Sequence, residues 1–249
     1  MKKSFLFAAL AAFSMVSCIN EEFPTLTPTK GYGYINVNVS NDVQMQTRAT
    51  VSELKDWIVT AVATDSETPN FTITSASTKV KAGTYSVSAK SHADKDAALA
   101  ANDGWGAAYY EGTASNVVVA AGQTATATVN CGTAKNARLK VEFSLVENFT
   151  EYSLTANRNL VFNNDNYTKA LAYYAATEEV NYTLTYKYNK GDSKTITGII
   201  TMNGAATENT ISISSNDNGT ISVTISYDET FGEGTKQEIT FDAATGDKV

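Results

Sequence analysis

The sequence predicts an all-β protein made of two tandem antiparallel β-sandwiches with a short crossover helix. Apolar residues alternate with polar residues in short runs along most of the chain. Runs of period two that are rich in β-branched and aromatic residues are typical of half-buried strands. Turn-forming residues separate the runs at spacings of about 8 to 12 residues, which is typical of sandwich architecture. Helical composition is confined to one segment.

The first sandwich is predicted over residues 31–132. Between its strand signals, His92–Asn102 is rich in alanine, the strongest helix former, and predicts the crossover helix. Cys131 closes a Thr-rich strand, which predicts a small buried side chain. A nucleophilic cysteine needs a neighbouring positive group, and the surroundings of His92 give no sign of such pairing. The strand signals are Ile35, Val37 and Val39; Tyr85, Val87 and Ala89; and Thr124–Cys131.

The second sandwich is predicted over residues 135–249, after a small polar stretch at Cys131–Asn136. Each half, at about a hundred residues, is long enough for a seven-strand sandwich, and one continuous structure is the alternative. Asn189–Asp192 and Asn216–Gly219 predict hairpins, the second with a tight type I′ turn at its Asn-Gly pair. The strand signals are Leu139, Val141, Phe143 and Leu145; Tyr182, Leu184, Tyr186 and Tyr188; Ile211 and Ile213; Ile221, Val223, Ile225 and Tyr227; and Ile239 and Phe241.

The composition argues against several function classes. The 249 residues carry a net charge of −7, which opposes binding to nucleic acid phosphates. One His and two Cys are too few for a multi-ligand zinc site. Asn163–Asn166 and Asn216–Gly219 lack calcium-loop spacing, so turn formation explains them. Glu178 and Glu179 point to opposite faces of a strand and cannot flank one glycosidic bond. We therefore expect no catalysis, no cofactor and no metal.

The first 17 residues have the features of an export signal. Lys2 and Lys3 precede the apolar run Phe5–Val16, which is too short to span a membrane as a mature helix. Met15–Cys18 resembles a bacterial lipobox with Met in place of the usual Leu. This resemblance implies cleavage before Cys18 and acylation of its thiol and amino groups, which gives a firm membrane anchor. An ordinary secretory signal with an incidental cysteine is the alternative.

Residues 18–30 are predicted to form a lipidated tether. Glu21 and Glu22 closely follow Cys18 and resemble the signal that sends lipoproteins of Bacteroides-type bacteria to the outer face of the outer membrane. A merely polar tether is the alternative. Phe23–Lys30 contains two of the three prolines, which suits a semi-extended spacer. We expect a lipid-anchored protein of the outer membrane, exposed at the cell surface.

An ordered set of short segments carries a resemblance to a known family. The segments are Gly33–Ser40, Thr47–Ala49, Ala82–Ala89, Tyr109–Gly112, Ala121–Thr124, Val129–Cys131 and Ala137–Phe143. Together they resemble a family of Bacteroides-type surface lipoproteins that is catalogued only as a domain of unknown function. The resemblance covers about residues 30 to 230. It implies no assigned activity.

More distantly, the chain is similar to fimbrillins, the subunits of Bacteroides-type fimbriae. That similarity implies two transthyretin-like sandwiches and cleavage by a trypsin-like protease between Arg48 and Ala49. Cleavage would remove the strand with Ile35, Val37 and Val39, and a strand of another subunit would fill the groove. Gln44–Arg48 shows no alternating apolar face, which predicts an accessible loop. An uncut loop in a monomeric lipoprotein is the alternative.

Aromatic residues in the first half suggest a sugar-binding platform. Trp105, Tyr109 and Tyr110 follow Asn102–Gly104, and flat rings cover apolar sugar faces while carboxamides bind hydroxyls. The Tyr173-Tyr174 pair is a candidate addition. Alternation along a strand instead places one tyrosine of such a pair in the core. The predicted function is a structural, adhesion or interaction role with protein or glycan partners; a fimbrial subunit and a glycan-binding module are the alternatives.

Overall fold

The computed structural model describes residues 31–40, 54–65, 68–228 and 236–249. The predicted signal peptide, Cys18, the tether and the Arg48–Ala49 bond lie outside these residues. Within the described part, no helix has the length and apolar character needed to cross a membrane.

The first half forms two sheets with one helix between their strands. One sheet has the order β4-β1-β7 and the other β3-β2-β5-β6. The elements are β1 Tyr32–Ser40, β2 Ile58–Ala63, β3 Phe71–Ile73, β4 Ser77–Lys81, β5 Gly83–Lys90, α1 Lys95–Ala100, β6 Glu111–Val119 and β7 Thr124–Asn130.

The second half repeats this plan and adds two strands. Its sheets have the orders β11-β8-β14-β15-β16 and β10-β9-β12-β13, so each strand from β1 to β7 corresponds to the strand seven places later. The two additional strands, β15 and β16, extend one sheet beyond β14. The elements are β8 Asn136–Ser144, β9 Phe149–Ala156, β10 Leu160–Asn163, β11 Ala172–Ala175, β12 Glu179–Tyr188, β13 Ser193–Thr201, β14 Glu208–Ser215, β15 Thr220–Asp228 and β16 Lys236–Asp242.

Buried apolar side chains form one core in each half. The first core includes residues of both sheets, such as Ile35 and Val37 from β1 and Val87 from β5. The second includes Leu139 from β8 and Leu184 from β12. The all-β prediction of tandem sandwiches is confirmed. The division into separate folding units at residues 132 and 135 stays a prediction.

Each sandwich differs from the prediction by containing one parallel pair of strands. β1 pairs with β7 in parallel from Tyr34 opposite Thr124 to Ser40 opposite Asn130. β8 and β14 are also parallel. Alternation of apolar residues reports which face a strand buries but carries no information about its direction, so the sequence pattern could not reveal these pairs.

The crossover helix is shorter than predicted. Its N-cap is Asp94, whose carboxylate accepts a hydrogen bond of 2.8 Å from Ala97 N. The helix ends at Ala100 because Ala101 is extended, with φ −65° and ψ 163°. A left-handed turn at Asn102–Gly104 follows, with hydrogen bonds from Gly104 N to Ala101 O at 3.2 Å and from Trp105 N to Asn102 O at 3.1 Å.

Both predicted hairpins are present, and the turn type of the second differs from the prediction. Asn189 and Lys190 have positive φ values of 50° and 58°, as the central residues of a type I′ turn require. In the Asn216–Gly219 hairpin, by contrast, only Gly219 has positive φ. The side chain of Asn216 accepts hydrogen bonds from the amides of Asn218 and Thr220 and so fixes a wider turn. The type I′ prediction at this Asn-Gly pair is therefore wrong.

In the loops Asn163–Asn166 and Asn216–Gly219, asparagine side-chain oxygens accept hydrogen bonds from backbone amides of the same turn. Asn166 Oδ1 accepts a hydrogen bond from Asn163 N, and Asn163 Oδ1 accepts one from Asp165 N. Within the described ranges, no group of three or more His, Cys, Asp or Glu side chains is placed to hold a metal ion.

Candidate ligand-binding groove

The side chain of Asn136 joins the two sandwiches. It is 3% exposed, donates to Ala107 O at 2.8 Å and accepts from Tyr109 N at 3.0 Å. The amide of Lys135 donates to Tyr109 O at 2.7 Å. These bonds hold the segment before β6 against the start of β8.

Arg158 makes a second connection between the halves. Its guanidinium donates to Leu99 O at 2.8 Å in α1 and also to Tyr173 O in β11. The same group stacks over the ring of Tyr174, 4.4 Å from its centroid. Tyr173 N donates to Trp105 O at 2.8 Å, so the loop after α1 lies directly beside β11.

A groove of about 470 Å³ opens along this junction. Trp105 and Tyr173 are half-buried in its wall, and Trp105 packs edge-to-face on Phe162 with ring centroids 5.0 Å apart. The exposed Asp165 and Lys169 line it, and the charged ends of both are without an ion pair among the described residues. The remaining lining residues are Asn102, Gly106, Asn166, Ala170 and Leu171.

The backbone beside the groove is unusual. Asn102, Asp103 and Gly104 have successive positive φ values of 52°, 54° and 86°. Non-glycine residues in this region are strained, and such residues cluster at functional sites. Gly106 has φ 78°, and a Cβ there would lie 3.0 Å from Tyr173 Cβ. Glycine at this position therefore allows the close approach of the two halves.

The predicted platform of Trp105, Tyr109 and Tyr110 does not form. Tyr109 is 2% exposed, and its hydroxyl donates to Glu111 at 2.9 Å. Burial and this contact raise the pKa of Tyr109 to about 12. Tyr110 instead packs against the core of the first sandwich. Of the three residues, Trp105 alone lines the groove.

Of the additional tyrosine pair, Tyr173 lines the groove and Tyr174 is buried, as alternation along a strand predicts. Asp165 belongs to the run Asn163–Asn166, which sequence reasoning assigned to a turn, and Lys169 was not found by it. Both lie in the connection between β10 and β11, and no local pattern distinguishes them as ligand-binding residues.

Cys131 is a core residue of the first sandwich. Its side chain is 1% exposed, and Sγ lies 3.7 Å from Ala89 O. Burial raises the pKa of this thiol to about 11. His92 instead contacts the adjacent Ser91, with Nδ1 3.0 Å from Oγ.

The geometry around β1 bears on the predicted strand exchange. β1 lies between β4 and β7 and pairs with both. Ile35, Val37 and Val39 are each 2% exposed or less. A Cβ on Gly33 would lie 2.5 Å from Ala120 O. The start of β1 therefore packs tightly against the loop between β6 and β7. Removing β1 would therefore leave an apolar gap flanked by two unpaired strand edges.

The chain matches a known protein family. A family model described as Domain of unknown function (DUF4493) matches residues 31–243, as the resemblance predicted. No curated protein sequence matches the chain.

The expected similarity to fimbrial proteins is found among solved structures. A fimbrial assembly protein from Parabacteroides distasonis is 10% identical, with a TM-score of 0.38 over 84% of this chain and 99% of its own. A protein from Bacteroides fragilis named for cell adhesion is 12% identical, with a TM-score of 0.35 over 83% of this chain and 100% of its own. The TIE protein of Bacillus anthracis is 12% identical, with a TM-score of 0.26 over 86% and 48%. TM-scores this low lend no function to the chain.

Proposed function

The chain belongs to the family described as Domain of unknown function (DUF4493), and from this premise we propose that it is a non-catalytic surface lipoprotein with a structural or adhesion role. A lipid on Cys18 would hold it at the outer membrane. This location is supported by the sequence around Cys18, in which Lys2, Lys3 and an apolar run precede the cysteine and an acidic pair follows it.

The observation that carries the proposal is the position of β1. β1 begins at Tyr32, close behind the predicted tether of residues 18–30. Because β1 is hydrogen-bonded to strands on both sides, a pull on the tether acts on a strand fixed within the sandwich. This is a suitable attachment for a protein that links a membrane to a partner outside it.

Labelling with radioactive palmitate tests the anchor. The wild-type protein should incorporate label and Cys18→Ala should not. Cys131→Ala is the matched control, since it removes the other cysteine and should leave labelling unchanged. Equal labelling of wild type and Cys18→Ala would refute the anchor. Protease treatment of intact cells then tests exposure: a protein resistant until the cells are broken would contradict the surface location.

The fimbrial alternative is supported by the gap that removal of β1 would create. In this version the chain is cut between Arg48 and Ala49, and a strand from another subunit replaces β1. N-terminal sequencing of protein from intact cells should then find Ala49 first, and Arg48→Ala should retain Cys18. A mature chain that keeps its N-terminus at Cys18 in wild-type cells would reject this version.

The glycan alternative is supported by the groove at the junction. Trp105 and Tyr173 supply apolar ring surface, and Asp165 and Lys169 supply hydrogen-bonding groups beside it. Calorimetry with host and plant polysaccharides should show heat that Trp105→Ala and Tyr173→Ala abolish. Tyr34→Ala is the matched control because Tyr34 is 43% exposed on β1, away from the groove. Equal heat in all variants would reject binding at this groove.

A further inference from the structure

The outer face of the β4-β1-β7 sheet carries an exposed group of two tyrosines and two lysines. Tyr32 lies opposite Lys81, and Tyr34 lies opposite Lys79, across the β1–β4 pair. Tyr32 is 58% exposed and Tyr34 43%, and both lysines are exposed as well. We propose that these four residues, the tyrosine–lysine patch, dock on anionic lipid headgroups of the membrane that holds the chain. The proposal rests on the lipid anchor proposed above and deepens it by assigning the side of the molecule that faces the membrane.

Alternation along the strands places the patch on a single surface. Ile35 and Val37 of β1 are buried, so the residues that alternate with them point away from the core. Across the strand pair, Lys79 Nζ lies 5.1 Å from the centre of the Tyr32 ring. The rings and ammonium groups therefore form one continuous surface.

The positive charge of this surface is not compensated within its sheet. β1, β4 and β7 contain neither Asp nor Glu, and no described carboxylate forms an ion pair with Lys79 or Lys81. Residues two apart on one strand lie about 7 Å from each other, within the screening length of physiological salt, so the two charges act together. The complementary partner is anionic, although the whole chain carries a net charge of −7.

The corresponding face of the second sandwich neutralises its charges internally. β8 is the counterpart of β1, and its Arg138 pairs with Glu208 of β14 at 2.6 Å. Lys140 of β8 pairs with Glu142 of the same strand, also at 2.6 Å. Uncompensated lysines are therefore a property of the first sandwich, whose sheet contains the strand next to the tether.

A membrane surface is the anionic partner that fits the patch best. Tyrosine and lysine are both suited to membrane–water interfaces, where the ring lies among the headgroups and the ammonium group reaches the charged surface. β1 begins at Tyr32, close behind the predicted tether of residues 18–30. A fully extended tether of this length spans at most about 45 Å, so a lipid on Cys18 would keep the patch near the bilayer.

The tether makes a weak contact sufficient for docking. It converts docking into an intramolecular step with an effective concentration in the millimolar range. Each lysine near an anionic surface contributes about fivefold to the binding equilibrium. Removal of both positive charges should therefore lower the ratio of docked to undocked molecules by about 25-fold.

Fluorescence of the protein on vesicles tests the docking. A hexahistidine tag in front of residue 19 and a nickel-chelating lipid supply the anchor, so the test does not depend on acylation of Cys18. An environment-sensitive dye on Thr124→Cys, opposite Tyr34 in the sheet, reports contact with headgroups, and the buried Cys131 stays unlabelled. Phosphatidylcholine vesicles that contain phosphatidylglycerol should shift the emission to the blue. Vesicles without phosphatidylglycerol should not.

Matched variants assign the contact to the patch. Lys79→Gln combined with Lys81→Gln should lower the docked-to-undocked ratio about 25-fold. Lys95→Gln combined with Lys194→Gln removes the same charge from α1 and β13 and should leave the shift unchanged. A dye on Thr197→Cys, exposed on β13, should show no shift on either kind of vesicle.

Three outcomes would overturn the proposal: equal shifts on the two kinds of vesicle, equal shifts at the two dye positions, or a folded Lys79→Gln, Lys81→Gln variant that docks like the wild type. Absence of docking would also overturn it, and binding of soluble polygalacturonate through the same lysines would then assign the patch to an acidic polysaccharide. Failure of palmitate labelling, by contrast, would reject the anchor on Cys18 without changing the shift measured with a supplied anchor, so the two failures are distinguishable.

Discussion

Replacing Asn136 with alanine should destabilise the protein by about 2 to 4 kcal/mol. The side chain is almost fully buried and makes two hydrogen bonds to the other half of the chain, at 2.8 Å and 3.0 Å. Its loss leaves the buried Tyr109 N–H and the half-buried Ala107 C=O without these partners. Each orphaned group costs about 1 to 3 kcal/mol, and Ala107 lies at the low end because water can reach it.

Urea unfolding of Asn136→Ala and Asn130→Ala measures this cost. Asn130 is the matched control: its side chain also accepts a backbone hydrogen bond, from Gly132 N at 2.9 Å, but this bond is exposed. We expect Asn130→Ala to lose less than about 1 kcal/mol. Equal losses in the two variants would refute the idea that Asn136 stabilises the junction by satisfying buried groups. Calorimetry that showed one half unfolding early in Asn136→Ala would also locate the defect at the junction.

Three further predictions concern the groove and the first core. Gly106→Ala should lower the melting temperature more than Gly104→Ala, since both have positive φ but a Cβ would contact Tyr173 only at position 106. Arg158→Lys should destabilise the protein measurably in urea, because a lysine cannot bond Leu99 O and Tyr173 O together. Between about pH 9 and 11 the folded state keeps a proton on Cys131 that the unfolded chain has lost. Stability should therefore fall with rising pH more steeply in wild type than in Cys131→Ala; identical slopes would contradict a raised thiol pKa.

The strands could be predicted because their signal is local. Ile35, Val37 and Val39 alternate with polar residues, and the same residues are buried in β1. Burial of one face requires that pattern whatever the partner strand is. The direction of a strand, by contrast, can be predicted only when its partner strand is known. That partner is distant in sequence, since β1 pairs with β7, some ninety residues later.

Sequence reasoning identified one wall of the groove but could not show which residues lie opposite it. Trp105 stands out as a large aromatic residue in a polar loop, but its partner Tyr173 comes from the other half of the chain. The bonds made by Asn136 and Arg158 bring the two together, and neither residue belongs to a recognisable motif. Tyr109 was misassigned because its partner Glu111, only two residues away, satisfies the hydroxyl inside the fold.

Chain connectivity explains why β14 has a second hydrogen-bonded neighbour among the described strands and its counterpart β7 does not. After β14, the turn at Asn216–Gly219 lets the chain return at once as β15 along the outer edge. After β7, Cys131 enters the first core, and β8 of the next sandwich begins at Asn136. The few residues between them are bonded to Tyr109, so they cannot fold back along Thr124–Thr128. The difference between the two halves at this edge thus follows from the immediate succession of the two sandwiches.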